Sequence, residues 1–251
     1  MIRVAAAADV HFADDLAGTL RPKLDGIAEF ADLFVLAGDL TKWGDPNEAE
    51  ALARELAGCP VPVVAVLGNH DYQSDRQNEV RATMERAGVV VLDGETFTAT
   101  IRGFEVGVAG AKGFCGGFPG AGATAFGEPE MKAFVEHSQR EAERLGTALA
   151  ELRSDVRIAL CHYAPVPDTL HGEPPEIFAF LGSYYLGEAI DASGAELAIH
   201  GHAHMGSEEG MTPGGVPVRN VAWPVINAPY KVYAVPAGRG NRAASVESVR
   251  A

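Results

Sequence analysis

Five apolar runs of strand length, each ending in a residue that can bind a cation or a proton, constrain this chain more than any other feature. Residues 2–8 (I-R-V-A-A-A-A), 33–37 (L-F-V-L-A), 61–67 (V-P-V-V-A-V-L), 156–161 (V-R-I-A-L-C) and 195–199 (A-E-L-A-I) are nearly continuous apolar stretches. That is the pattern of strands buried on both faces. The first is followed by Asp9-Val10-His11, the second by Gly38-Asp39 and the third by Gly68-Asn69-His70-Asp71. His162 follows the fourth, and His200-Gly201-His202-Ala203-His204 follows the fifth. In an open α/β sheet the loops at the carboxyl ends of the strands form the ligand crevice. A single strand-end Asp or His is ordinarily a cap or a turn residue. Five in succession are not explained that way.

Helical patterns separate these runs. Residues 46–57 open on Pro46, keep a helical apolar period and stop at Gly58, which predicts a helix. Residues 75–87 and 183–192 read similarly, and 128–153 predicts the longest helix. Strand–helix alternation predicts an α/β layered fold. The stretches 97–101, 104–109, 216–221 and 231–235 have no helix between them and predict antiparallel strands that extend the sheets. No internal repeat or low-complexity linker divides the chain, so one domain over residues 1–251 is expected.

Charge and cysteine usage narrow the classes of function. Lys plus Arg is 20 and Asp plus Glu is 34, a net charge of -14. Such a chain is repelled by the phosphate backbone, which argues against general nucleic-acid binding. A small phosphorylated substrate stays compatible, because a bound metal ion inverts the local field. Cys59, Cys115 and Cys161 are an odd, widely spaced set with no C-x-x-C, which fits a reducing cytoplasm rather than a disulfide framework. The apolar N-terminal run ends at Asp9, too short for a signal segment. Nothing approaches the roughly 20 apolar residues of a membrane helix. A cytoplasmic protein with no membrane partner is the expectation; the oligomeric state is not legible.

The strand-end residues are rich in His and Asp, include one Asn and bring no thiolate together. That set suits Mn²⁺, Fe²⁺, Zn²⁺ or Co²⁺. It is too many ligands for one catalytic ion that keeps an open position, and about right for two ions sharing a bridging carboxylate and a bridging water.

In this order the blocks D-x-H, G-D, G-N-H-D, H and G-H-x-H resemble the calcineurin-like metallophosphoesterases, over about four-fifths of the chain from Asp9 to His204. The resemblance implies a four-layer α-β-β-α sandwich of two mixed sheets flanked by helices. It implies Asp9, His11 and His204 on one divalent ion, Asn69, His162 and His202 on the other, and Asp39 as the bridging carboxylate. His70 falls on the family's catalytic histidine, beside the leaving oxygen. The implied reaction is hydrolysis of a phosphodiester or phosphomonoester by attack of a metal-bridging hydroxide. His200 lies outside the G-H-x-H ligands and is expected to be structural or to orient a ligand or a bound phosphate.

Several residues keep two readings. Asp71 either hydrogen-bonds near the site or caps its turn. His171, in T-L-H-G-E-P-P, is a substrate contact or an ordinary exposed loop residue. Cys161 is expected in the core, since neighbours on a strand point to opposite faces, and His137 on the solvated face of the long helix. Gly113–Gly127, with six glycines and three phenylalanines, is a substrate-covering loop or a surface loop with its rings tucked inward. After Asp39 the chain reads Leu40-Thr41-Lys42-Trp43-Gly44, without the Asp-Arg pair of the serine/threonine phosphoprotein phosphatases. G-D-L-T with G-N-H-D looks more like the Icc-type, cyclic-nucleotide-phosphodiesterase-like branch. The alternatives are a nuclease, against which the charge counts, and a non-catalytic scaffold of the same fold, against which the filled ligand set counts.

Overall fold

The N-terminal apolar run becomes strand β1 (Ile2–Ala7), and its side chains divide between two cores. Val4 and Ala6 face one, Ala5 and Ala7 the other, as the two-residue period of a strand requires. The same division runs along β2 (Leu33–Ala37) and β3 (Val63–Val66), where Val35 and Val64 face one way and Phe34 and Ala65 the other. In this computed structural model, which describes residues 1–237 and the backbone of 247–249, β1, β2, β3 and the short β4 (Val90–Val91) pair in parallel. A hairpin of β5 (Glu95–Ile101) and β6 (Phe104–Gly110) follows, then a small one of β7 (Gly117–Phe118) and β8 (Ala121–Gly122). The remaining strands are β9 (Val156–Leu160), β10 (Leu197–His200), β11 (Glu209–Met211), β12 (Pro217–Asn220), β13 (Lys231–Val235) and β14 (Glu247–Val249).

Two mixed six-stranded sheets result, ordered β14-β13-β1-β2-β3-β4 and β11-β12-β10-β9-β6-β5. Their inner faces interlock: Val4, Val35 and Val66 of the first meet Val108, Ile158 and Ile199 of the second in one buried cluster. The outer face of the first sheet is covered by the helices Pro46–Leu56 and Gln77–Arg86, through Leu52, Leu56, Val80 and Met84. The helices Pro129–Glu151 and Tyr184–Ser193 cover the second through Leu145, Leu149, Leu186 and Ile190. Helix, sheet, sheet, helix is the four-layer sandwich expected.

Strand direction departs from expectation in places. β12 runs parallel to β10, and β6 runs parallel to β9, although the hairpin partners β5 and β11 are antiparallel. For β12 the reason lies in the connection after β10, which holds no helix but is long enough, through β11, to bring the chain back in the same direction, whereas β6 reaches β9 through a crossover that contains the helix Pro129–Glu151. The domain expectation over 1–251 extends past the described residues at its C-terminal end. Among the described residues, no helix is long and apolar enough to cross a membrane.

Candidate metal centre

The loops that leave β1 and β2 stay locked together beyond the strands. Asp9 N donates to Gly38 O (3.0 Å), His11 N to Asp39 O (3.0 Å) and Phe12 N to Leu40 O (3.0 Å). Asp9, His11, Asp39 and His202 all adopt positive φ, at 56°, 41°, 50° and 69°. Left-handed backbone is costly for a residue with a Cβ and persists where the surroundings over-determine it. Four strained residues in one cluster are the mark of a built site. Two motif glycines are explained by contact with its carboxylates. A Cβ on Gly68 would collide with Asp39 Oδ1, and one on Gly201 with Asp9 Oδ2. No side chain fits at either.

The C-terminal ends of the two sheets meet at Asp39. His162 Nε2 lies 3.4 Å from Asp39 Oδ1, His11 Nε2 3.9 Å from Oδ2, and His70 Nε2 4.0 Å from Oδ2. Asp39 Oδ1 also accepts His70 N at 2.8 Å. Asp9 receives His204 Nε2 (2.9 Å) on Oδ1 and the His202 amide (2.9 Å) on Oδ2. Three groups have ligand atoms all within 4.8 Å of one another: Asp9–His11–His204, His11–Asp39–His70 and Asp39–His162–His202. His11 and Asp39 each belong to two of them, and Asp39 is the carboxylate that does.

The orientation of the donor set fits a cation. His162 Nδ1 lies 2.9 Å from the Ala37 carbonyl, and a carbonyl only accepts, so Nδ1 carries the proton and Nε2 presents a lone pair. That lone pair faces Asn69 Oδ1 at 2.9 Å and the Asp39 carboxylate. Acceptors aimed at acceptors repel unless a proton or a cation lies between them. Burial pushes His162 well below the usual histidine range, so in the metal-free chain the proton between these acceptors is carried by the raised Asp39 carboxyl, and a bound cation would take its place. His202 repeats the logic: Nε2 is 3.3 Å from the Phe180 carbonyl, which leaves Nδ1 as the lone pair.

The charges follow from burial. Desolvation, then the neighbouring charges of Asp9 and Asp71, push the Asp39 carboxyl far above the usual carboxylate range. Burial also opposes ionisation of Asp9, but the His204 hydrogen bond, the nearby imidazoles and the His202 amide outweigh it and hold Asp9 low. Desolvation brings His11 and His202 down to about 4, whereas the bond to Asp9 raises His204. A divalent ion would relieve the carboxylates, find His11, His162 and His202 already neutral, and displace the proton that Asp9 favours on His204.

The other sequence candidates take distinct places. Asp71 is fully buried; its carboxylate accepts from Leu40 N (3.1 Å), Thr41 N (2.8 Å), Thr41 Oγ1 (2.6 Å) and Gly68 N (2.8 Å). It ties the loop after β2 to the loop after β3. His200 is buried with both ring nitrogens engaged, Nδ1 by Gly201 O (2.7 Å) and Nε2 by Thr169 Oγ1 (2.9 Å). Neither nitrogen is left for a metal. His200→Ala is therefore expected to lower unfolding free energy by about 1–3 kcal/mol through stranded polar partners, with bound metal per chain unchanged. Denaturant unfolding and metal analysis of the same preparation check this. His171 is exposed, two residues before Glu173, whose carboxylate receives Met205 N at 2.7 Å. Cys161 is in the core. His137 is half-buried rather than solvated, because its ring packs edge-on against Phe114 at 4.4 Å. In the Gly113–Gly127 loop, Phe114 and Phe118 pack inward while Phe126 is 85% exposed.

Lys112 escaped the sequence reading. It stands just past the carboxyl end of β6, yet carries no motif. Its ammonium is buried, donates to Gly113 O at 3.0 Å and lies 5.1–5.3 Å from the rings of Tyr72, Phe114 and Tyr163. Its carbonyl receives His162 N at 3.0 Å. Only the strand-end position could have signalled it.

The family model of the calcineurin-like phosphoesterases matches residues 2–206, the whole span that holds these ligands. The chain belongs to this family. The family's chemistry is metal-dependent phosphoester hydrolysis, and the His/Asp groups described above are able to hold metal. Solved structures agree on the fold. Phosphopantetheinyl hydrolase from Mycobacterium tuberculosis is similar at 16% identity and TM-score 0.59, over 87% of this chain and 88% of that one. The protein TT1561 of Thermus thermophilus is similar at 17% identity and TM-score 0.58, over 99% and 98%. A putative 5′-nucleotidase from Staphylococcus aureus is similar at 16% and 0.55, over 98% of this chain and 53% of that one. Comparison with curated proteins gives no match.

Proposed function

We propose that this phosphoesterase works with two divalent ions on a small phosphorylated substrate. Asp9, His11 and His204 would hold one ion, Asn69, His162 and His202 the other, and Asp39 would bridge them. The observation that carries the reading is the convergence of lone pairs on the buried Asp39, shared between two ligand groups. Ions held there would supply an acidified water and neutralise the phosphoryl oxygens.

The chain's own residues do the rest. His70 Nδ1 lies 2.8 Å from the Lys42 carbonyl, so it donates there and the ring is fixed in orientation. Nε2 then remains free on the Asp39 side, where a doubly protonated ring can give its proton to the leaving oxygen. Asp71 holds the turn that carries His70, through Gly68, Leu40 and Thr41. His202, oriented by the Phe180 carbonyl, and His162, oriented by Ala37, keep their lone pairs inward, the usual role of a partner on the second ring nitrogen. The unpaired thiols Cys59, Cys115 and Cys161 support placing this reaction in a reducing, cytoplasmic compartment.

Purified protein is expected to contain about two ions per chain on the two-metal reading and to hydrolyse bis(p-nitrophenyl) phosphate. Chelation should bring turnover to background, and Mn²⁺ or Zn²⁺ should restore it. Absence of both bound metal and metal-stimulated turnover would reject the reading.

A further inference from the structure

Where the phosphoprotein phosphatases carry an Asp-Arg pair, this chain carries Lys42 and Trp43, and the indole of Trp43 is 57% exposed. An indole face open to water at the edge of a polar cleft offers a flat apolar surface on which a planar ligand ring can pack. The Trp43 ring centroid stands 6.3 Å from that of the His70 ring, with the two planes inclined by 35°.

The backbone under the indole is fastened to the turn that bears His70. Lys42 O accepts from His70 Nδ1 (2.8 Å), Gly44 O accepts from Ser74 Oγ (2.5 Å), and Gly44 N donates to Thr41 Oγ1 (3.1 Å). Trp43 N donates to Glu48 Oε2 (2.7 Å), the same carboxylate that completes the capping box with Asp45. Gly44 has φ of 73°, and a Cβ there would lie 2.9 Å from Asp71 O. Indole and imidazole are thus held on one rigid unit, so a ring stacked on Trp43 would lose little further freedom in the backbone beneath it. The rim is apolar elsewhere too: Phe180, whose carbonyl orients His202, and Met205, next to His204, both expose their side chains.

We propose that Trp43 is a substrate-binding residue whose indole face stacks on a planar ring carried by the leaving alcohol. The preferred substrates are then phosphoesters of ring-bearing alcohols, aryl or nucleoside, over plain alkyl esters. The proposal rests on the reading above that His70 faces the leaving oxygen, because the ring nearest His70 must then meet the leaving group. An indole face accepts any flat ring and does not read hydrogen bonds, so the ring's presence matters more than its identity.

Matched substrates isolate the effect. Benzyl against cyclohexylmethyl esters, and adenosine 5′- against ribose 5-esters, differ in the ring while keeping a primary alkoxide as leaving group. For the benzyl and adenosine members, Trp43→Ala should raise KM about 5- to 100-fold, the scale of one stacking contact, with kcat near wild type. Trp43→Phe should recover part of the loss, and the cyclohexylmethyl and ribose members should keep their KM. Phe30→Ala, which removes an exposed ring outside the site, should change none of these values. An effect confined to the adenosine pair would narrow the class to nucleosides, and one confined to the benzyl pair to aryl groups. Equal KM changes within both pairs would overturn the proposal. A second readout needs no turnover: in a Trp223→Phe background Trp43 is the remaining tryptophan of the two. Its fluorescence should be quenched by adenosine 5′-monophosphate and not by ribose 5-phosphate. Equal quenching by both would overturn the stacking role even if no ester were hydrolysed, whereas failure of metal-dependent turnover alone would strike the catalytic reading.

Discussion

Asp39→Asn is expected to abolish metal-dependent turnover and to weaken both ions at once, a larger loss than any terminal ligand would produce. The carboxylate lies at the junction of the Asp39–His162–His202 and His11–Asp39–His70 groups. Among the described residues it is the one whose charge can be shared by two ions from that position. Losing a hydrogen-bond partner of a ligand costs roughly 10–100-fold in metal affinity, and removal of a bridging anion should exceed that for each ion. His204→Ala, by contrast, should strip chiefly the ion it shares with Asp9 and His11. Metal titration of the two variants separates these outcomes. Two tightly held ions and near-normal turnover in the Asp39→Asn protein would remove Asp39 from the bridging position.

The same substitution should behave oppositely in the metal-free protein. Asp39 has its carboxyl raised by burial and by the charges of Asp9 and Asp71. Between the ordinary carboxylate value and that raised one, the folded chain binds a proton that the unfolded chain has released. Stability of the metal-free protein therefore falls as pH rises through that window. Asn is neutral throughout, so Asp39→Asn should flatten this dependence and leave metal-free stability equal or higher at the alkaline end. Asp71, raised by the same kind of burial, preserves part of the slope. Urea unfolding of both metal-free proteins at several pH values reads the difference.

The strand ends were legible because their chemistry cannot be confused with packing. Val, Ile and Ala runs ending in Asp or His place polar groups where a buried sheet opens, and Asp9, Asp39, Asn69, His162, His202 and His204 gather at one edge for that reason. What stayed hidden depends on tertiary contact. Nothing local distinguishes Lys112 from a surface lysine; three rings from separate loops, Tyr72, Phe114 and Tyr163, create its environment. His137 sits among charged residues in sequence, yet Phe114 arrives from a distant loop to cover it. The direction of β12 was unreadable because it is set by the length of a connection, not by a periodicity. Asp71 had two local readings, and only the approach of the loop after β2 chose between them.

His70→Ala should part chemistry from metal binding. The His70 ring gives Nδ1 to the Lys42 carbonyl and keeps Nε2 4.0 Å from Asp39 Oδ2, where it can face a substrate oxygen, and the proposed assignment holds both ions without it. The variant should therefore retain both ions and lose about 10²–10⁴-fold in kcat, the usual scale for a general acid. The loss should shrink for p-nitrophenyl esters, whose leaving oxygen needs little proton assistance, and be greatest for alkyl esters. His202→Ala should lose metal occupancy and fail alike on both. The backbone amide of His70 adds a separate control, because its bond to Asp39 Oδ1 survives the side-chain change. The turn and the Asp39 carboxylate therefore stay oriented in His70→Ala. Equal losses across leaving groups, or loss of an ion from His70→Ala, would mean that the ring supports the metal centre and does not serve as its acid.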